Sequence, residues 1–180
     1  VKVGNLLIDN QFSFDYAYTS NLKRAQETLS IILDRLSSNL IPIQNKALNE
    51  RDYGDLIGRN KADAAREFGI DQVQIWRRSY NIPPPGGESL KMTAERTLPY
   101  YKKTILPQVL EGNNIIISAH GNSIRAIVMD IFNLSPKQIL KTEIGWCEPW
   151  IISFDNNGEI SNYQIINRES EPSTSYLFIK

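Results

Sequence analysis

The stretch Ile115-Ile116-Ile117-Ser118-Ala119-His120-Gly121-Asn122-Ser123-Ile124-Arg125 decides the architecture of this 180-residue chain. A β-branched apolar run stops at His-Gly-Asn, and a helical pattern follows. That order describes a strand delivering a polar side chain to the mouth of a parallel sheet, where open α/β folds bind their ligands. His120 is the only histidine in the sequence. An imidazole placed there donates to a phosphate, or exchanges a proton with it, near neutral pH.

Outward from this point, strands alternate with helices. Residues 2–9 read as the end of an amphipathic helix with Val3, Leu6 and Leu7 on one face, and 14–18 as a short strand. Thr19-Ser20 offers N-cap hydroxyls to a helix on which Leu22, Ala25, Leu29, Ile32, Leu33 and Leu36 recur at helical spacing. A second short strand is expected over 40–44 and an aperiodic polar loop over 48–60. Short helices follow over 61–68, capped by Asn60 and ended at Gly69, and over 71–80. Ile82-Pro83-Pro84-Pro85-Gly86-Gly87 reads as a rigid turn, and a long helix over 89–110 is expected to bend at Pro99 or Pro107. After the 114–119 strand come a helix over 123–132 and another with Pro136 at its first position. Residues 150–154 and 160–165 flank Asn156-Asn157-Gly158 as a terminal hairpin. The expected class is α/β, three layers α/β/α around a mostly parallel sheet. The chain reads as a single domain, 1–180, with a loose tail over 168–180.

Composition narrows the classes. Acidic and basic residues balance at 20 each, so no global field draws the chain to nucleic acid or to a membrane surface. No apolar run approaches the roughly 20 residues that span a bilayer. One cysteine, Cys147, excludes an internal disulfide framework and fits a cytoplasmic setting. The opening Val1-Lys2-Val3-Gly4 has neither a start methionine nor the layout of a signal peptide. Trp76, Trp146 and Trp150 are expected as core or interface aromatics.

Several basic residues stand where helices begin or loops turn. Arg24 lies in the first turn after the Tyr18-Thr19-Ser20 strand end, so it points to the same sheet mouth as His120. Lys61 opens its helix, and Arg77 and Arg78 follow Trp76. Guanidinium forks suit bidentate recognition of phosphate or carboxylate. In the loop Leu48-Asn49-Glu50-Arg51-Asp52-Tyr53-Gly54, a carboxylate held among cations stays ionised and can relay protons. Taken singly, each has an ordinary explanation: a structural histidine, solvated arginines and lysine, or a loop ion pair worth at most about 1 kcal/mol. Together their spacing supports a small anionic ligand at a sheet edge, and nothing sharper.

The segments Tyr18-Thr19-Ser20 with Leu22-Lys23-Arg24-Ala25, Asn49-Glu50-Arg51-Asp52-Tyr53-Gly54, Asn60-Lys61, Trp76-Arg77-Arg78-Ser79, Gly87-Glu88-Ser89-Leu90 and Ala119-His120-Gly121-Asn122-Ser123 with Arg125 go further. In this order the chain resembles the cofactor-dependent phosphoglycerate mutases of the histidine phosphatase superfamily, over roughly residues 14–154. The resemblance implies interconversion of 3-phosphoglycerate and 2-phosphoglycerate through a phosphohistidine, primed by 2,3-bisphosphoglycerate and without metal. It implies that Glu50 is the general acid/base, that His120 stabilises the transferring phosphoryl group, and that Arg24 joins it in neutralising charge. Arg24, Glu50, Arg51, Tyr53, Lys61, Arg77, Arg78, Gly121 and Asn122 would then bind the substrate, a small phosphorylated carboxylate. Family members are usually homo-oligomers, so a dimer or tetramer is implied.

Two departures matter. The family's phosphorylated histidine lies in an N-terminal Arg-His-Gly motif, which this sequence lacks. The chain therefore reads as N-terminally incomplete, without the first strand of the sheet, either because the full protein carries that segment or because the chain is truly truncated, and these 180 residues alone are expected to be inactive. Gly145-Trp146-Cys147-Glu148-Pro149 also stands where the family usually has a Thr-Gly-x-Pro turn. The alternatives are a histidine phosphatase hydrolysing a small phosphate ester, or a non-catalytic phosphometabolite-binding or assembly module.

Overall fold

The computed structural model describes residues 1–166 and 177–178, except the Lys61 side chain. The helices are α1 (Lys2–Asp9), α2 (Lys23–Arg35), α3 (Lys61–Phe68), α4 (Ile70–Arg78), α5 (Leu90–Tyr100), α6 (Leu106–Leu110), α7 (Gly121–Ile131) and α8 (Pro136–Lys141). Strands β1 (Tyr16–Thr19), β2 (Ile43–Gln44) and β3 (Ile115–Ser118) form a parallel sheet in the order β2-β1-β3. Tyr16 stands opposite Ile115 and Thr19 opposite Ser118.

Alternate side chains leave a strand on opposite faces, and this builds two separate cores. On one face Ala17 and Ile116 pack with Leu29 and Leu33 of α2. On the other, Tyr18, Ile115 and Ile117 pack with Leu48, Tyr101, Ile105 and Ile127. Helix layers on both sides of a parallel sheet are the three-layer arrangement expected. Outside them, α1 lies on α2 at Gly4, where a Cβ would come within 2.6 Å of the Arg35 Cβ.

The structure corrects several boundaries. The first strand is Tyr16–Thr19 and the second only Ile43–Gln44, while the 48–60 loop is flanked and interrupted by 3-10 turns at Lys46–Leu48 and Gly54–Leu56. Gly54 has φ +53 and crosses the Pro-Pro-Pro-Gly-Gly turn so closely that a Cβ would meet the Pro85 carbonyl. The 89–110 helix contains a π-helical turn over Tyr101–Ile105, between α5 and α6. Pro107 has no N–H to offer, and the Leu106 N–H closes a wider turn on the Tyr101 carbonyl.

Helix α7 begins at Gly121, with His120 as its N-cap, because the Ser123 hydroxyl accepts the His120 N–H at 3.2 Å. The 150–165 hairpin forms as expected, from β4 (Trp150–Phe154) and β5 (Ile160–Ile165), but as a separate two-stranded antiparallel sheet. It is anchored through Trp150, which packs against Leu90, Val128, Leu134 and Ile139. Among the described strands, β3 is paired along one edge only, to β1, and β4 only to β5.

Trp76 is buried with Ala64 and Val73, but Trp146 is 96 % exposed and belongs to no core. Its loop turns at the exposed Cys147, with φ +56. Most of the 168–180 tail lies outside the described residues. Leu177 and Phe178 are not loose: Leu177 packs on the α7–α8 core, and the Phe178 N–H donates to the Thr142 hydroxyl.

Candidate active site

Parallel register builds the first half of the site. Because Thr19 and Ser118 are partners, the residues just beyond the two strand ends converge, and Ser20 Oγ stands 2.7 Å from His120 Nε2. Ser20 does not cap α2 as expected; that helix has Leu22 at its N-cap, and the serine hydroxyl instead accepts the Leu22 N–H. Ser20 and His120 are both buried. Burial lowers the His120 pKa below 6.5, the Arg24 and Arg96 charges lower it further, and Glu50 opposes them. The imidazole is therefore neutral at pH 7.

The second half comes from the 48–54 loop. Glu50 Oε1 accepts the Arg51 N–H at 2.7 Å, the Asn122 N–H at 3.2 Å and the Asn122 side-chain amide at 3.0 Å. Oε2 lies on the Gly121 side and has no partner among the described residues. The Asn122 amide also reaches the Tyr53 hydroxyl, and the Arg51 guanidinium lies 4.4 Å from the centre of the Tyr53 ring. Arg51 is only 3 % exposed and donates to the Trp76 carbonyl, tying the end of α4 to the cluster. It has no carboxylate partner among the described residues, and its Nε is buried with no acceptor. An anion would satisfy a buried cation left this way.

The structure thus brings Glu50, Arg51, Tyr53, Gly121 and Asn122 together and places His120 beside them. Arg24 is exposed at the start of α2, close enough to lower the His120 pKa. Lys61 is the first residue of α3, which Asn60 caps by accepting the Ala62 N–H, but its side chain lies outside the described part. Arg77 and Arg78 stand apart from the cluster. They are exposed and line a separate cavity of about 280 Å³ with Ala65, Ile70, Val73 and Gln74.

Two residues of this neighbourhood were not singled out individually from the sequence. Glu88 and Arg96 form an ion pair, Nε to Oε1 at 2.8 Å, behind the Glu50 loop. Glu88 stands just before the Ser89 N-cap and Arg96 two turns into α5, so the pair was only weakly signalled in the sequence. Sequence spacing did not show which loop the pair would meet.

His120, Ser20 and the tethered Glu50 carboxylate gather beyond the carboxyl ends of parallel strands, where α/β proteins place their ligand sites. The chain belongs to the histidine phosphatase superfamily, branch 1, whose family model matches residues 2–164. Within that superfamily its near relatives are mutases. It is 55 % identical over 159 residues to the 2,3-bisphosphoglycerate-dependent phosphoglycerate mutase of Parvibaculum lavamentivorans, covering 87 % of this chain and 76 % of that protein. It is 50 % identical over 165 residues to the phosphoglycerate mutase of Schizosaccharomyces pombe, covering 91 % and 78 %. Among solved structures, mycobacterial glucosyl-3-phosphoglycerate phosphatase with inorganic phosphate matches with a TM-score of 0.74 at 20 % identity, covering 92 % of this chain and 81 % of that one. The α-ribazole phosphatase of Shigella flexneri also gives 0.74, at 19 % identity, covering 93 % and 80 %. These two establish a shared fold.

Proposed function

We propose that the protein interconverts 3-phosphoglycerate and 2-phosphoglycerate through a phosphohistidine primed by 2,3-bisphosphoglycerate. The observation that carries this reading is the 55 % identity to a mutase of that name over 159 residues, a span long enough to take in everything from Glu50 to Asn122. The geometry supplies reasons why the chemistry suits the site.

Phosphoryl transfer needs mainly in-line positioning and stabilisation of charge on the equatorial oxygens. His120 donates to the phosphoryl group, and a dianion beside the imidazole would draw its pKa upward. Arg24 adds charge from the start of α2. Arg51, with its unmatched Nε, fits the carboxylate or the second phosphate of a phosphoglycerate. Tyr53, Lys61, Gly121 and Asn122 complete substrate binding, and Arg77 and Arg78 join them only by swinging in from the cavity they line beside the end of α4. Glu50, tied through Oε1, uses Oε2 to take and return the proton of the substrate hydroxyl. 2,3-Bisphosphoglycerate supplies the phosphoryl group that charges the nucleophile. His120 already has a role and is the only histidine of the 180 residues, so in this reading none of them is the phosphorylated nucleophile.

In this reading the chain forms one domain of a cytoplasmic homo-oligomer that acts on a small phosphorylated carboxylate. It works without metal, nucleic acid or membrane. The test is an assay of the full-length protein for 3-phosphoglycerate conversion, with and without 2,3-bisphosphoglycerate and with EDTA present. Conversion that requires the bisphosphate and ignores the chelator is the expected result. Release of inorganic phosphate without isomerisation would replace the mutase reading with a phosphatase.

A further inference from the structure

We infer that Arg96, locked by Glu88, is the positioning residue that sets the reactive placement of Glu50; this rests on the mutase reading of Glu50. The segment that carries Glu50 has no strand partner, and beyond the Lys46 carbonyl, which also takes the Asn49 N–H, its carbonyls need donors from elsewhere. Every carbonyl from Lys46 to Glu50 accepts a side-chain hydrogen bond, and Arg96 supplies four of the five. Its Nη1 reaches the Lys46 and Ala47 oxygens at 3.4 and 3.0 Å, and its Nη2 those of Asn49 and Glu50 at 3.1 and 3.0 Å. Ser123 takes the remaining one, Leu48, at 3.0 Å, and Thr97 adds a second donor to Ala47.

Glu88 completes the clamp. Its carboxylate takes two bonds from Arg96, at 2.8 and 2.9 Å, and its Oε2 also accepts the Asp52 N–H at 3.1 Å. One ion pair therefore grips the carbonyl of Glu50 on one side and the amide two residues later on the other. Glu88 immediately precedes Ser89, the N-cap of α5, and Arg96 lies two turns into that helix, between the buried Thr93 and Thr97. The Glu50 backbone is thus referenced to a rigid element and not to a free loop.

The chemistry of the fork explains the choice of arginine. A planar guanidinium spreads its donors over a fixed fan, which suits four carbonyls and a carboxylate at once. A lysine ammonium radiates three donors from one point and cannot serve that set. The pair is largely buried, and beyond any stability it adds, the fan of bonds it makes fixes the geometry of the Glu50 segment. Displacing a catalytic group by about 1 Å can cost on the order of 100-fold in rate. Arg96 also adds charge near His120, in line with a place at the reacting centre.

The experiment uses full-length protein carrying Arg96→Lys and Glu88→Gln, each alone and combined with Glu50→Gln. Arg96→Lys should lower kcat by about 10- to 100-fold while KM for 3-phosphoglycerate stays within about 3-fold. In the Glu50→Gln background the same change should cost little further, because the group being positioned is already disabled. Unchanged kcat, a loss confined to KM, or equal losses in both backgrounds would overturn the inference. Wild-type protein without mutase turnover would overturn the functional reading instead. Amide hydrogen exchange would then still test the clamp: Arg96→Lys should speed exchange over residues 46–52 and leave α2 unchanged, and no change over 46–52 would refute it. Glu88→Gln, nearly isosteric, serves as the second variant if Arg96→Lys does not fold.

Discussion

Glu50 carries three hydrogen bonds on one carboxylate oxygen, and that asymmetry predicts its response to substitution. Glu50→Gln keeps the side chain's size and the anchoring carbonyl oxygen but cannot accept a proton. It should lower kcat by about 100- to 10,000-fold with KM within about 3-fold, read by steady-state kinetics. Near-normal turnover would rule out the acid/base role. Acid acts on two other residues in separate windows. For Glu88, burial works to raise the pKa, but the Arg96 hydrogen bond, the Asp52 amide, the Arg96 charge and the Thr93 hydroxyl together bring it below 4.5. Its ionised form thus contributes stability that is complete above pH 4.5 and is lost as pH falls through the lower folded value. His120 behaves differently, because the unfolded chain gains a proton before the folded one does. Stability should therefore start to fall below pH 6.5 and level off beneath the folded pKa. A melting-temperature profile against pH should show both declines, and Glu88→Gln should remove only the more acidic one. A profile that Glu88→Gln leaves intact would contradict the assignment.

At the scale of elements, α2 was legible because its apolar residues repeat at helical spacing. Leu29 and Leu33 do face Ala17 and Ile116 across the sheet. Leu29 is fully buried, so Leu29→Ala should destabilise the fold by about 2–5 kcal/mol, measured by denaturant unfolding. A loss below about 1 kcal/mol would mean that this helix is not fixed to the sheet as described. The π-helical turn was not legible, since the two prolines read equally well as bends. Which carbonyls lose their partners, and how the ladder recovers, depends on packing around Tyr101 and Ile105. The start of α7 was misplaced for a related reason. Gly121 and Asn122 have weak helix propensity, and the His120–Ser123 hydrogen bond overrides it. The β4–β5 hairpin was visible in its alternation and Asn-Asn-Gly turn, but no local pattern says which sheet a hairpin joins.

Across the whole molecule, equal numbers of acids and bases hide a local concentration of cations. Arg51 is buried with no carboxylate partner among the described residues, and Arg24 and Arg96 bear on His120 against the opposing Glu50. A site of that kind binds anions partly through screened charge, so KM for 3-phosphoglycerate should rise several-fold as salt goes from about 0.05 to 0.5 M. A flat KM would show that hydrogen-bond geometry alone carries binding. The sequence by itself determined the alternating class and the position of His120 at a strand end, which are written in local periodicity. The candidate set from Arg24 to Asn122 came from the family resemblance of its motifs. Only the tertiary structure decided that Ser20 is the partner of His120, that Asn122 and Arg51 hold Glu50, and that Glu88 and Arg96 clamp the loop behind it. It also left Arg77 and Arg78 outside the hydrogen-bonded cluster and Trp146 in solvent. These are meetings between residues up to 100 positions apart, as with Ser20 and His120. Parallel strand register and helix packing determine such meetings, and neither is encoded in any single window of sequence.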